Sequence, residues 1–166
     1  MCIRDSTYLD ELEARGRYTL MVWPVHCEIG TWGHNVHADV RAAYSRWEDA
    51  DQFIVRKVPK GTNPWTEHYS ALMAEVPDPD DPRSQLNRSL LGSLDRSDLI
   101  IIGGEAGSHC VRATVEHLAE HLPGGNLSRI VLLTDCMSPV AGFTDAQATF
   151  LQRMRDLGMQ AVSYTH

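Results

Sequence analysis

Three short apolar runs, Leu99–Ile102, Ile130–Thr134 and Met159–Val162, punctuate the second half of the chain. Their length and β-branched content predict buried strands. Between them the spacing changes to three and four. Val111, Val115, Leu118 and Leu122 share one helical face, Pro123-Gly124-Gly125 ends that helix, and Ser108 is its expected N-cap. Phe150, Met154 and Leu157 mark a last helix, opened by a capping box of Thr144 with Gln147 and closed by Gly158. The first half is less regular. A short helix is predicted over Tyr8–Ala14, closed by Gly16, and strands over Arg17–Val22 and Phe53–Val58. An amphipathic helix lies between those strands, with Val36, Val40, Ala43, Tyr44 and Trp47 on one face. A further helix with Leu86, Leu90, Leu91 and Leu94 is expected to be capped by Ser84. Strands alternating with helices imply parallel βαβ units, hence a three-layer α/β/α domain of Rossmann-like type with a mostly parallel sheet.

Ligands of such sheets bind at the carboxyl ends of the strands. Four irregular segments are expected on that edge: Trp23–Gly33, Lys60–Ala71, the Gly103-Gly104 turn, and the loop from Asp135 to Pro139. Val76–Pro82, with three prolines and three aspartates in VPDPDDP, reads as an exposed connector. Cys110 falls in the first turn of a helix that follows a buried strand. Unpaired amide N–H groups and the positive end of the helix dipole favour an anionic sulfur there. A lone cysteine near a helix start is more often packing than chemistry, so the remaining segments must decide between the two.

Composition narrows the class. The chain has 166 residues, 43% of them hydrophobic and 22% charged, which suits one ordinary globular domain. A formal charge of −7 without clustered Lys and Arg argues against a nucleic-acid surface. No apolar run approaches the length of a membrane span, and no signal peptide is legible, so a cytoplasmic protein is expected. Cys2, Cys27, Cys110 and Cys136 form no C-x-x-C pair and read as free thiols. Homo-oligomerisation is left open. The ends, Met1–Ser6 and Val162–His166, resemble translated sequencing-adaptor ends, so residues 7–161 are expected to form a single native domain, itself an internal fragment.

Three segments together carry a resemblance: WPVHC at Trp23–Cys27, KGTNPWTEHYSA at Lys60–Ala71, and GGEAGSHCVRATV at Gly103–Val115. In this order and spacing they resemble the isochorismatase-like cysteine hydrolases, above all their nicotinamidase-related amidases. With the DCMSP segment and the final helix, the likeness covers nearly everything from Arg17 to Ala161.

The resemblance implies hydrolysis of a small carboxamide, nicotinamide to nicotinate and ammonia first among them, through a cysteine thioester. Cys110 matches the nucleophile, and Lys60 matches the lysine whose ammonium lies beside it. Glu105-Ala106 is implied to hold a cis peptide bond that aims the Ala106 and Cys110 amides at an oxyanion. Trp23, Tyr69 and His109 match positions lining the substrate pocket. His26 alone matches the family's divalent metal site (zinc, iron or manganese), while His34 and His37 read as a solvated face.

The family's aspartate, in a D-x-Q-x-x-F-like segment on the first strand, and its D-x-H-like metal ligands have no match here. Asp10 belongs to a helical pattern and is no substitute. The domain is therefore expected to be truncated at its N-terminal side, and the chain to be nearly inactive even if its parent is an enzyme. Rival readings are a carbamoyl-compound hydrolase, an isochorismatase-like vinyl-ether hydrolase in which the cysteine is not needed, and a non-catalytic binding domain of the same fold. A dinucleotide site is disfavoured, because GGEAG at Gly103–Gly107 is not G-x-G-x-x-G.

Overall fold

The computed structural model describes residues 3–165. Met1, Cys2 and His166 lie outside them, so the expected non-native ends are described only in part. The chain divides into two compact units, Met1–Glu11 with Pro59–His166, and Leu12–Val58, and each is described by itself.

The larger unit is built on three short parallel strands in the order β1 (Ile100–Ile102), β2 (Ile130–Leu133) and β3 (Gln160–Val162). Ile100–Ile102 pair with Ile130–Leu132, and Val131–Leu133 pair with Gln160–Val162. Helix α4 (Cys110–His121) joins β1 to β2, and α5 (Thr144–Asp156) joins β2 to β3. Right-handed crossovers running in one direction along a sheet put both helices on the same face. Burial agrees: Ile130 and Leu132 are buried, while Val131 and Leu133 are half-buried and Ile101, on their face, is exposed. The core cluster joins Ile100, Ile130 and Leu132 to Val111, Val115, Leu118 and Leu122 of α4 and to Phe150 and Met154 of α5. Leu91 of α3 (Arg88–Asp95) completes it. The mixed α/β fold with a parallel sheet, and the strand and helix positions from residue 88 onward, are those the periodicity predicts.

The predicted caps are corrected. Asn87, not Ser84, caps α3, its side chain accepting the Leu90 N–H at 3.0 Å. Ser84 is buried and instead closes the acidic loop, donating to the Asp81 carbonyl at 2.7 Å and accepting from the Asp78 N–H at 2.8 Å. VPDPDDP is thus a hydrogen-bonded loop whose Val76 is buried, and only part of it is an exposed connector. Thr144 is already helical, Phe143 is the N-cap residue, and no side-chain capping bond forms there.

Both strands predicted in the first half are absent. Helix α1 (Ile3–Arg15) contains the expected Tyr8–Ala14, but Arg17–Val22 is irregular and has no ladder partner among the described residues. Phe53–Val58 is held by side chains of α2 (Ala38–Asp51). Phe53 stacks on Trp47 with centroids 5.8 Å apart, the Val55 N–H donates to Glu48 at 2.7 Å, and the Lys57 ammonium lies 5.2 Å from the centre of the Tyr44 ring. An apolar run becomes a strand only when a neighbouring strand takes its N–H and C=O groups in a ladder, and among the described residues none does here.

At the other end the structure continues past residue 161. Val162 pairs with Leu133, and Asp135 accepts hydrogen bonds from the Tyr164 N–H at 3.0 Å, the Ser163 hydroxyl at 3.0 Å and the Thr165 N–H at 3.1 Å. Those bonds hold the Asp135 carboxyl well below the usual carboxylate range, the Tyr164 amide contributing most. No helix among the described residues is long and apolar enough to cross a membrane.

Candidate active site

Cys110 is the first residue of α4, half-buried, at the end of the turn that leaves β1. The N-cap position is His109 and not Ser108, and it makes no side-chain cap. Ser108 is buried and used elsewhere: its hydroxyl lies 2.8 Å from His109 Nδ1 and accepts the Val140 N–H at 2.9 Å.

The turn is fastened to the loop after β2. The Gly104 N–H donates to the Cys136 carbonyl and the Gly107 N–H to the Ser138 carbonyl, both at 2.8 Å. The Ser138 N–H returns a bond to Glu105 Oε2 at 3.1 Å. A Cβ at Gly107 would run into the Gln147 side-chain amide, which would have to shift to admit it. The Glu105-Ala106 peptide bond is cis, as the resemblance implies. The Ala106 carbonyl accepts both the His109 and the Val111 N–H at 3.0 Å. With these neighbours engaged, the Ala106 and Cys110 amides make no hydrogen bond among the described residues. Removing the Glu105 acceptor by Glu105→Ala is expected to cost about 0.5–1.5 kcal/mol. Hydrogen exchange at the Ser138 amide should accelerate, and an unchanged rate there would exclude the bond.

Lys60 lies just after the irregular Phe53–Val58 segment, and its ammonium reaches Cys110. Nζ is 3.6 Å from Cys110 Sγ and donates to the His68 carbonyl at 2.8 Å. Two more bonds hold this loop within the same unit. The Ala71 N–H donates to Thr114 Oγ1, which donates to the Cys110 carbonyl at 2.7 Å, so loop and helix share one hydroxyl. The Tyr8 hydroxyl accepts the Glu67 N–H at 2.8 Å, and burial pushes the Tyr8 phenol up to about 12.

Beside Cys110 stands an aromatic group. The buried His109 ring is 5.7 Å from Tyr69, and Phe143 meets it edge-on at 4.7 Å. Burial, with Arg112 adding to it, pushes the His109 ring below the usual histidine range, which favours the neutral imidazole. Phe143, at the N-cap of α5, escaped the sequence reading, its only signal being its place after Gly142 at a helix start.

The burial of His68, reinforced by the Lys60 charge, pushes its ring from 6.5 to about 4. The folded chain therefore keeps His68 neutral where the unfolded chain binds a proton. Stability is expected to fall as pH drops from 6.5 towards 4 and to level off below. Solvent screening of a partly exposed ring limits the loss to about 1–2 kcal/mol. Urea titrations across that range check it, and the His68→Asn variant should show a flatter slope.

Of the predicted site residues, Cys110, Lys60, Ala106, Tyr69 and His109 fall in the larger unit. Trp23 and His26 belong to the Leu12–Val58 unit, where Trp23 is half-buried and His26 Nδ1 lies 2.6 Å from the Pro24 carbonyl. The divalent metal is an expectation for the complete parent, and the donors described here do not make a site for it. No group of three or more His, Cys, Asp and Glu able to hold an ion occurs among the described residues, and His26 alone does not make a site.

No family profile and no curated protein matches the sequence. Solved structures do. The yeast nicotinamidase bound to the inhibitor nicotinaldehyde superposes with a TM-score of 0.63 at 20% identity, over 86% of this chain and 59% of its own. The nicotinamidase pyrazinamidase of Acinetobacter baumanii gives 0.53 at 18%, over 87% and 60%. The pyrazinamidase of Pyrococcus horikoshii in complex with zinc gives 0.53 at 21%, over 86% and 64%. The chain spans less than two thirds of the length of each. It shares the α/β fold of these structures.

Proposed function

We propose that this chain carries the nucleophile half of an amidohydrolase for small heteroaromatic carboxamides, with nicotinamide as the preferred substrate. The observation that carries this reading is the Lys60 ammonium 3.6 Å from Cys110 Sγ, at the start of a helix and beside a turn with two uncommitted amides. An ammonium at that distance stabilises an anionic sulfur, and a helix N-terminus adds to it.

The Cys110 thiolate adds to the carboxamide carbon, forming a C–S bond while the C=O π pair moves to oxygen. The Ala106 and Cys110 amides receive that oxyanion. Collapse restores the carbonyl and breaks the C–N bond, with the leaving nitrogen taking a proton as ammonia. Water then attacks the thioester, releasing the carboxylic acid and returning the thiol. Tyr69, His109 and Phe143 provide the flat surfaces against which a heteroaromatic ring would stack. No step is assigned to a metal. Nicotinamide as the substrate is supported by the structural neighbours, which are nicotinamidases and pyrazinamidases.

No residue matches the family's aspartate, so proton delivery to the leaving nitrogen is the missing function. The test therefore uses a leaving group that needs no proton. Mixed with p-nitrophenyl nicotinate, the chain should release one equivalent of nitrophenolate in a burst and carry a nicotinoyl group on the Cys110 peptide. Release without acylation of Cys110 would overturn the assignment. Faster acylation by p-nitrophenyl acetate than by the nicotinate, after correction for intrinsic reactivity, would remove the heteroaromatic preference.

A further inference from the structure

The lysine that serves Cys110 is followed by the most permissive residue in the loop. Gly61 adopts a left-handed φ of 70°, and nothing lies within 4 Å of the position a Cβ would take, so glycine is there for its backbone and not for space. A glycine beside a flexible four-carbon side chain leaves the ammonium free to wander unless something secures the turn.

His68 secures it at two points. Its ring Nδ1 accepts the Gly61 N–H at 3.2 Å, and its main-chain carbonyl accepts one proton of the Lys60 ammonium at 2.8 Å. The ring role fixes the tautomer: with Nδ1 accepting, a neutral imidazole carries its proton on Nε2. That atom is buried and has no hydrogen-bond partner among the described residues. A buried donor left unpaired calls for an explanation. Keeping Nδ1 on Gly61 provides one, because rotating the ring to satisfy Nε2 would release the turn.

We propose that His68 is a positioning residue for the nucleophile, clamping the Lys60-Gly61 turn with its ring so that the Lys60 ammonium stays on Cys110 Sγ. The proposal rests on the reading of Cys110 as a nucleophile served by Lys60. His68 touches neither the sulfur nor a substrate in this role and acts through Lys60 alone.

Iodoacetamide alkylation of the intact chain, followed peptide by peptide by mass spectrometry over a range of pH, tests it. The exposed Cys27 serves as internal reference. His68→Phe keeps the aromatic volume and removes the acceptor, whereas His68→Asn places an amide oxygen near the Nδ1 position. His68→Phe should slow Cys110 alkylation at neutral pH about tenfold and move its pH profile to higher pH, with Cys27 unchanged, and His68→Asn should recover most of the rate. In a Lys60→Met background, His68→Phe should have no further effect, since a residue acting only through Lys60 has nothing left to lose.

A His68→Phe rate within twofold of the parent while Lys60→Met is slow would overturn the positioning role and leave the nucleophile reading intact. Failure of His68→Asn to recover, or a further loss on Lys60→Met, would also overturn it, because either marks a general packing effect. If Cys110 in the parent reacts no faster than Cys27 and Lys60→Met changes nothing, the nucleophile reading falls and this inference with it.

Discussion

Cys110→Ala is expected to abolish the nitrophenolate burst and to lower any steady hydrolysis of the nicotinate ester by at least about 10³-fold, because the thioester route disappears with the sulfur. The fold should survive the change. Cys110 is only half-buried, and its main-chain carbonyl keeps the Thr114 hydroxyl whatever the side chain. Cys110→Ser is the sharper control. It preserves size and the helix start, yet a hydroxyl is not ionised at neutral pH, and an ammonium 3.6 Å away cannot make it so. Loss in both variants with unchanged thermal unfolding assigns the reaction to the thiolate. A full burst in Cys110→Ala would mean that another nucleophile, such as the exposed Cys136 of the adjoining loop, carries the acyl group.

The elements around this site differ in how far the sequence reveals them. β1, β2 and β3 are legible because each coincides with a short, largely apolar run such as Leu99–Ile102, even though Ile101 and Val162 stay exposed on the open face. Helix α4 is legible from Val111, Val115, Leu118 and Leu122, all of which are buried. Arg17–Val22 and Phe53–Val58 have the same local composition but no neighbour to pair with, and pairing is a property of the tertiary structure that a local pattern does not contain. The caps misled for a related reason. Ser84 and Ser108 have the right chemistry for helix starts, but their hydroxyls are drawn to loop amides, those of Asp78 and Val140.

The site shows the same division. The Lys60–Cys110 approach spans fifty residues, and the motif resemblance pointed to it where no periodicity could. The roles of His68 and Phe143 were not legible, since what they do depends on which amide or ring the fold brings to them. In the sequence Ser108 reads as a helix cap, Glu105 enters only through the cis peptide bond that the resemblance implies, and Gly107 only as part of the quoted motif. In the structure each makes a hydrogen bond between the turn before Cys110 and the loop after β2.

That loop also ties the Cys110 turn to the core, and so decides the second large effect. Leu132 lies on the middle strand, fully buried, paired through its backbone with Ile102 on one side and Ala161 on the other. Truncation to alanine leaves a cavity between β2 and the helices over it, and is expected to cost about 3 kcal/mol. That is a large share of the 5–15 kcal/mol typical of a whole domain. Ile101 is the matched comparison: it sits on the neighbouring strand but on the opposite face and is 58% exposed, so Ile101→Ala should cost under about 1 kcal/mol. Urea unfolding of the two variants checks the difference, and equal costs would disprove the one-sided core. β2 runs directly into Cys136 and Ser138, whose carbonyls hold Gly104 and Gly107. Leu132→Ala should therefore slow acylation of Cys110 at urea concentrations where the chain is still folded, whereas Ile101→Ala should leave it unchanged. The turn that leads to Cys110 has no core of its own, and its geometry is only as firm as the strand that feeds the loop it is fastened to.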